Sequence, residues 1–460
     1  MTTPFARIDD RARRSSWLVW ATAVGVYFLA LLHRSSLGVA GPDAVERLGI
    51  SATELGAFVM VQLGLYALMQ VPAGLAIDRW GARRVLLVAT LVMGSAQILF
   101  AVATSYPVAL AARALLGVGD AAVFIGVLRI AAMWFPHRRY AVLTMATSLV
   151  GAAGSLAATV PLVIVLDEFG WTRTFAITGA ASLVYGLLLL RPAVSAPFRE
   201  TGAGPAAADQ GSGPRTPSVR ETVANVPASW RRPETRLGFW THQATMVTGV
   251  VISLVWGFPY LTEGLGYSSA AAASQLSVYV VALLVFSLLI GPLAGRRPTW
   301  RTPMGLLIAT TCAGAVATLA LWPGGHPPGS VVTAVFVILA TGGPASQIGF
   351  HLARDYNPAV RISTATGLVN TGGFTGAMVT AIAVGAVLDV SSGSAAVTLS
   401  DYRWALGAMA LLATASTSAM LVSLLGVRAV VLERMAGGER VIVRVTEHWW
   451  DRVYRRLRGR

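Results

Sequence analysis

Apolar runs of roughly 16–25 residues, separated by short polar turns, recur from Trp17 to about Arg428. Trp17–Ala40, Val85–Val102, Phe175–Leu190 and Ala405–Val427 are examples. Each approaches the length a helix needs to cross a hydrocarbon core of about 30 Å. The pattern predicts twelve spanning helices, at 17–41, 52–77, 83–104, 106–134, 139–166, 171–191, 236–262, 270–295, 302–322, 328–353, 361–389 and 401–427. The expected fold class is therefore an all-α membrane protein. An apolar stretch preceded by Arg13 and Arg14 has the look of a signal peptide, but it is too long for one and ends in His33-Arg34-Ser35-Ser36. It reads as a retained first span.

Composition agrees with that reading. The chain has 460 residues, of which 55% are hydrophobic and only 12% charged, against about 25% charged in a soluble domain. All 36 basic residues are Arg, and the formal net charge is +15. In a membrane protein such an excess belongs to the cytoplasmic loops and not to a nucleic-acid interface. Arg79, Arg83, Arg84, Arg138, Arg139, Arg296, Arg297, Arg301, Arg354 and Arg361 fall in one set of loops. The alternate set mixes Arg47, Arg173 and Arg403 with Asp43, Glu46, Asp167, Glu168, Glu263 and Asp401. The rule that positive loops stay inside then puts both termini in the cytoplasm of a multi-pass inner-membrane protein.

Residues 192–235 are rich in Pro, Gly, Ala, Ser and Arg, which suits a flexible linker. They divide the chain into a cytoplasmic N-terminus (1–16), a six-helix bundle (17–191), a second bundle (236–427) and a basic tail (428–460). Within the linker, Ser218 to Trp230 is a candidate interfacial helix. An internal repeat supports the halves. TMATSLVGAAG at 144–154 recurs as STATGLVNTGG at 363–373, and Val165-Leu166-Asp167 recurs as Val387-Leu388-Asp389. The tail sets Trp449, Trp450 and Tyr454 beside Arg452, Arg455 and Arg456, as expected of an amphipathic helix on an anionic leaflet.

The most specific motif is Gly74-Leu75-Ala76-Ile77-Asp78-Arg79-Trp80-Gly81-Ala82-Arg83-Arg84, in the turn after the second span. Gly81 permits a tight turn, and Asp78 can pair with Arg or accept hydrogen bonds from a neighbouring helix N-terminus. The motif resembles the loop signature of the major facilitator superfamily. That resemblance implies two six-helix bundles, alternating access, and a gating role for Gly74, Asp78, Arg79, Gly81 and Arg83. The matching turn in the second half, Gly291-Pro292-Leu293-Ala294-Gly295-Arg296, has a glycine where the acid would sit.

Charges within spans carry the chemistry, since each costs about 2.5–3.5 kcal/mol on insertion scales. Arg34, Arg113 and Asp120 are such charges, and Arg113 and Asp120 share a helix face. Tyr27, Gln62, Tyr66 and Gln70 add polar stripes in the first half, and Gln347, His351, Arg354 and Asn370 in the second. ARALLGVGDA at 112–121, followed by Trp134-Phe135-Pro136, resembles the fourth helix of the anion:cation symporter branch, which carries an Arg and, seven residues on, a Glu. The branch also keeps an Asp-Arg pair in its first helix, where this chain has His33-Arg34. The resemblance implies proton-coupled symport of a small organic anion. Arg34 and Arg113 would bind substrate with Tyr27, Gln62, Tyr66, Gln347, His351 and Asn370. Asp120 and His33 would carry protons, with ionised Asp120 holding Arg113 until it is protonated. Proton-driven efflux of a drug, lipid or metabolite is the alternative, and a non-transporting sensor a more distant one.

No P-loop, nucleophile set or metal-ligand spacing occurs, so the chain is expected to be no enzyme and to need neither cofactor nor metal. Cys312 is alone and forms no intrachain disulfide. The expected partners are a small anionic substrate, protons and the lipid bilayer, with no nucleic acid, and the chain is expected to be a monomer.

Overall fold

The computed structural model describes residues 14–50, 52–158, 160–190, 219–393, 397–438 and 445–457, and these are almost entirely helical. The N-terminal 1–13 and linker residues 191–218 lie outside the described residues. Eleven helices are long and apolar enough to cross a membrane, and a bent pair makes a twelfth. Their outward surfaces carry Leu254, Leu288, Leu289, Leu307 and Leu411, all more than half exposed. A water-facing surface would not present such a continuous apolar skin.

The chain divides into two compact units. The first comprises residues up to Val226 together with Pro358–Gly367. Its helices are α1 (Arg14–Ser35), α2 (Leu37–Leu48), α3 (Ala52–Leu68), α4 (Gln70–Trp80), α5 (Ala82–Val102), α6 (Tyr106–Trp134), α7 (His137–Ala157), α8 (Val160–Gly186) and the short α9 (Val219–Val223). α6 is the hub of this unit and packs against α1, α3, α4, α5 and α7. Arg113 and Asp120 therefore sit on the most enclosed helix of the unit.

The second unit spans Pro227–Asn357 and Leu368–Arg460. It follows the short α10 (Asn225–Trp230) with α11 (Pro233–Val251), α12 (Gly257–Pro259), α13 (Ser269–Arg296), α14 (Arg301–Leu321), α15 (Gly329–Ala340), α16 (Gly342–Ser346), α17 (Ile348–Tyr356), α18 (Ile362–Ser392), α19 (Leu399–Ala436) and α20 (Trp449–Leu457). α11 packs against α14, α16, α17 and α19. The first ten residues of this stretch after Asn357, including the start of α18, cluster with the first unit.

Prolines explain where the spans bend. Pro72 has no N–H for the Leu68 carbonyl, and the second span breaks there into α3 and α4, inclined by 46°. Pro161 likewise leaves the Ala157 carbonyl without its partner, and the expected fifth span is divided between α7 and α8. α8 is itself interrupted at Gly170 (φ 72°), between the expected fifth and sixth spans. In the seventh span, Pro259 frees the Val255 carbonyl, and the helix widens into π turns at Ile252–Trp256 and Tyr260–Gly264. The first span ends at Ser35, earlier than residue 41, and α2 follows from Leu37, with the Ser36 hydroxyl donating to the His33 carbonyl (2.8 Å) at the junction. The twelfth runs on to Ala436, nine residues past the expected end at 427.

Candidate functional site

Within the first unit, Arg34 Nε donates to Asp120 Oδ2 at 2.7 Å. The Arg34 guanidinium also lies over the Tyr66 ring, 4.3 Å from its centroid. Arg113, 1% exposed, donates from both terminal nitrogens to the carbonyls of His33 and Arg34, each at 3.4 Å. Its guanidinium stands over Phe100. The aromatic faces stabilise these buried cations through their quadrupoles.

This corrects the expected pairing: Asp120 holds Arg34 and not Arg113. Seven residues along a helix is a rise of about 10.5 Å, so Arg113 and Asp120 meet different partners although they share a face. Arg113 reaches the end of α1, where α2 breaks away and leaves carbonyls to be satisfied.

Several buried polar atoms of this cluster have no hydrogen-bond partner among the described residues: Arg34 Nη2, Arg113 Nε, Asp120 Oδ1 and Gln62 Nε2. Buried polar groups are normally satisfied, so four orphans in one cluster mark a place prepared for a polar ligand or water. Three of the four atoms are donors, which suits an acceptor-rich ligand such as a carboxylate.

The other predicted residues of this unit fall around the pair. Tyr66 is buried under Arg34. Tyr27 packs on Phe124, with ring centroids 5.3 Å apart. Gln70 lies beyond the α3–α4 break and donates to the carbonyls of Tyr66 and Ala121, so it braces the bend. His33 is fully buried and bonds Ser182 on α8 through Nε2 at 2.6 Å.

The loop motif forms a second focus in the same unit. The Asp78 carboxylate, whose side chain is 1% exposed, accepts from Ser363 N (3.0 Å), Thr364 N (2.7 Å) and Thr364 Oγ1 (2.6 Å). These groups belong to the first turn of α18, whose N–H groups have no intrahelical acceptor and whose dipole favours an anion. Gly74 lets α4 and α18 approach: a Cβ there would lie 2.5 Å from the Ser363 carbonyl oxygen. Gly81 makes the following turn at φ 82°. Arg83 donates to the Leu190 carbonyl at 3.0 Å, and Arg79 lies against Trp80. Sequence reasoning missed Arg129, on α6, whose Nη1 stands 3.9 Å from Asp78. Its position inside the fourth span was the available signal.

In the second unit, His351 and Asn370 are buried, and Gln347 Oε1 has no hydrogen-bond partner among the described residues. His242 Nδ1 contacts the Ser346 carbonyl at 3.1 Å, and the ring packs on Phe350. Gly295 leaves the α13–α14 turn without an acid at the place matching Asp78, but a buried pair, Arg301 with Asp355, lies close by. The sequence did not single out Asp355.

The sequence profile of the Major Facilitator Superfamily matches residues 23–381. The D-galactonate transporter of Escherichia coli is 26% identical over 392 residues, covering 80% of this chain and 87% of that protein. The probable galactarate/D-glucarate transporter GudP of Bacillus subtilis is 23% identical, covering 85% of this chain and 90% of that protein. The probable sulfoacetate transporter SauU of Cupriavidus necator is 32% identical over 165 residues, which span 35% of this chain and only 38% of that protein. Among solved structures, the proton:xylose symporter XylE superposes with a TM-score of 0.64 at 14% identity, covering 88% of this chain and 95% of that one.

Proposed function

The chain belongs to the major facilitator superfamily, a family of transporters and not of enzymes, and from that premise we propose that it carries a small organic anion by proton-coupled symport. The observation that carries this reading is the Arg34–Asp120 pair together with four orphaned polar atoms, one on each member of the pair and one each on Arg113 and Gln62. The relatives named for galactonate, galactarate or glucarate, and sulfoacetate support an anionic substrate.

The proposed substrate carboxylate binds the free edge of Arg34, whose fork suits bidentate recognition. Gln62 Nε2 meets a substrate oxygen, and Arg113 supplies further positive charge from behind. Asp120 competes with the incoming anion for Arg34. A second carboxylate about 5 Å from Asp120 meets a repulsion of about 3 kcal/mol at an effective dielectric of ~20. That is on the order of 100-fold in affinity, and a proton on Asp120 removes it. Substrate and proton are thereby bound together. The Asp78 contacts with α18 act as a latch that forms and breaks during alternating access. The chain lies in the inner membrane with both termini cytoplasmic, as the Arg distribution supports, and it works as a monomer.

Uptake of labelled D-galactonate and D-glucarate into proteoliposomes tests the reading, with and without an inward proton gradient. The wild type should accumulate one of them only with the gradient. Asp120→Asn should keep exchange of that anion but lose gradient-driven accumulation. Gradient-driven accumulation at the wild-type rate in Asp120→Asn would sink the coupling scheme.

A further inference from the structure

α20 docks on the second unit by its polar side. Arg428 of α19 donates to both carboxylate oxygens of Asp451 (2.8 and 2.7 Å) and to the Thr446 carbonyl (2.8 Å). Asp451 also caps its own helix by accepting from His448 N at 2.9 Å. Tyr454 and Arg455 share this inward side at helical spacing. The apolar side is turned outward: Trp449 is 66% exposed, Val453 46% and Trp450 40%, flanked by exposed Arg452 and Arg456. A tail helix folding against a water-soluble surface would bury those tryptophans and expose Asp451.

Beneath α20 lies a cavity of about 280 Å³ lined by Arg231, Pro233, Arg236, Val430, Tyr454 and Arg455. Arg455 shares its charge with Glu447. Neither Arg231 nor Arg236 has a carboxylate partner among the described residues. The cavity thus offers two uncommitted guanidiniums beneath a helix whose outer face is apolar.

Depth selects the occupant. From Asp401, in the first turn of α19, to Arg428 is 27 residues, a rise of about 40 Å. With Asp401 at one interface, Arg428 reaches the opposite headgroup layer of a bilayer whose full thickness is about 40–45 Å. We infer that α20 and the start of α11 together form a binding site for an anionic phospholipid. The phosphate enters the cavity between Arg231 and Arg236, while Trp449, Trp450 and Val453 enter the acyl boundary. Aromatic and basic residues in this arrangement match the chemistry of the interface, and the site is separate from the proposed transport site.

The test uses the full-length protein in mild detergent micelles, titrated with phosphatidylglycerol, phosphatidylcholine or inorganic phosphate while thermal unfolding is followed. Phosphatidylglycerol should raise Tm, and the other two should not. In R231A/R236A the apparent affinity for phosphatidylglycerol should fall on the order of 30-fold. R231K/R236K should retain it within about threefold, because a phosphate in this layer accepts a point charge. W449A/W450A should weaken it as well. An unchanged affinity in R231A/R236A, or an equal shift from phosphatidylcholine, overturns the proposal. An equal shift from inorganic phosphate would overturn the lipid as the occupant.

Discussion

Replacing Asp78 by Asn removes a charge without changing the shape of the side chain. The native carboxylate accepts three hydrogen bonds from Ser363 and Thr364, two of them on Oδ2. An Asn amide can set its oxygen at the Oδ2 position and keep both Thr364 contacts, but it then turns an NH2 donor toward the Ser363 N–H. One hydrogen bond to a charged group is then lost, at about 1.5 kcal/mol, and two fall from charged to neutral strength, at about 0.75 kcal/mol each. If the contact is the proposed latch, the sum of about 3 kcal/mol should shift its equilibrium on the order of 100-fold toward release. Thr364→Val removes only the hydroxyl contact and should shift it about tenfold. Ser363 is fully buried beside Asp78, and the chain's single cysteine, Cys312, is buried too. Maleimide labelling of Ser363→Cys in a Cys312→Ala background therefore reports release. Labelling should accelerate on the order of 100-fold in Asp78→Asn and about tenfold in Thr364→Val, in line with the figures above. An unchanged rate in Asp78→Asn would refute the reasoning, because the carboxylate would then contribute nothing to holding this segment.

Gly74→Ala should act on the same latch by sterics, since its Cβ would press on the Ser363 carbonyl oxygen at 2.5 Å. A strain of about 1–3 kcal/mol should speed Ser363→Cys labelling while Asp78 stays intact, and unaltered labelling would show that α4 can shift to make room. Docking of α20 should depend on pH through Asp451. The Arg428 guanidinium beside it holds its carboxyl below the ordinary range. A depressed folded pKa gives stabilisation that is complete above the unfolded value of about 3.9 and is lost as pH falls through the folded value. Protease cleavage of the tail should thus be flat from pH 7 to about 5 and rise only below about 4, whereas a rise near neutrality would contradict the ion pair as the anchor.

The chain by itself determined its spans, because hydrophobic length is a local property read one segment at a time. It also determined the acid, the turn glycine and the basic residues of the Gly74–Arg84 motif, whose residue types and spacing are legible within one short stretch. The proline positions predict where helices bend, although the sequence reading did not use Pro72, Pro161 or Pro259 in this way. The partners of the long side chains were decided only by the tertiary structure. Arg113 and Asp120 read as a pair because they lie on one helix face, but α1 ends beside Arg113 and delivers carbonyls to it, while Arg34 comes down on Asp120. Asp78 could have met any helix N-terminus or arginine, and packing selected α18, with Arg129 nearby. The tail read as amphipathic, yet which face would turn outward depended on Arg428, more than twenty residues away, capturing Asp451. In each case a helix's rotation and depth are set by all its neighbours at once, and a single stretch of sequence carries only one side of that contact.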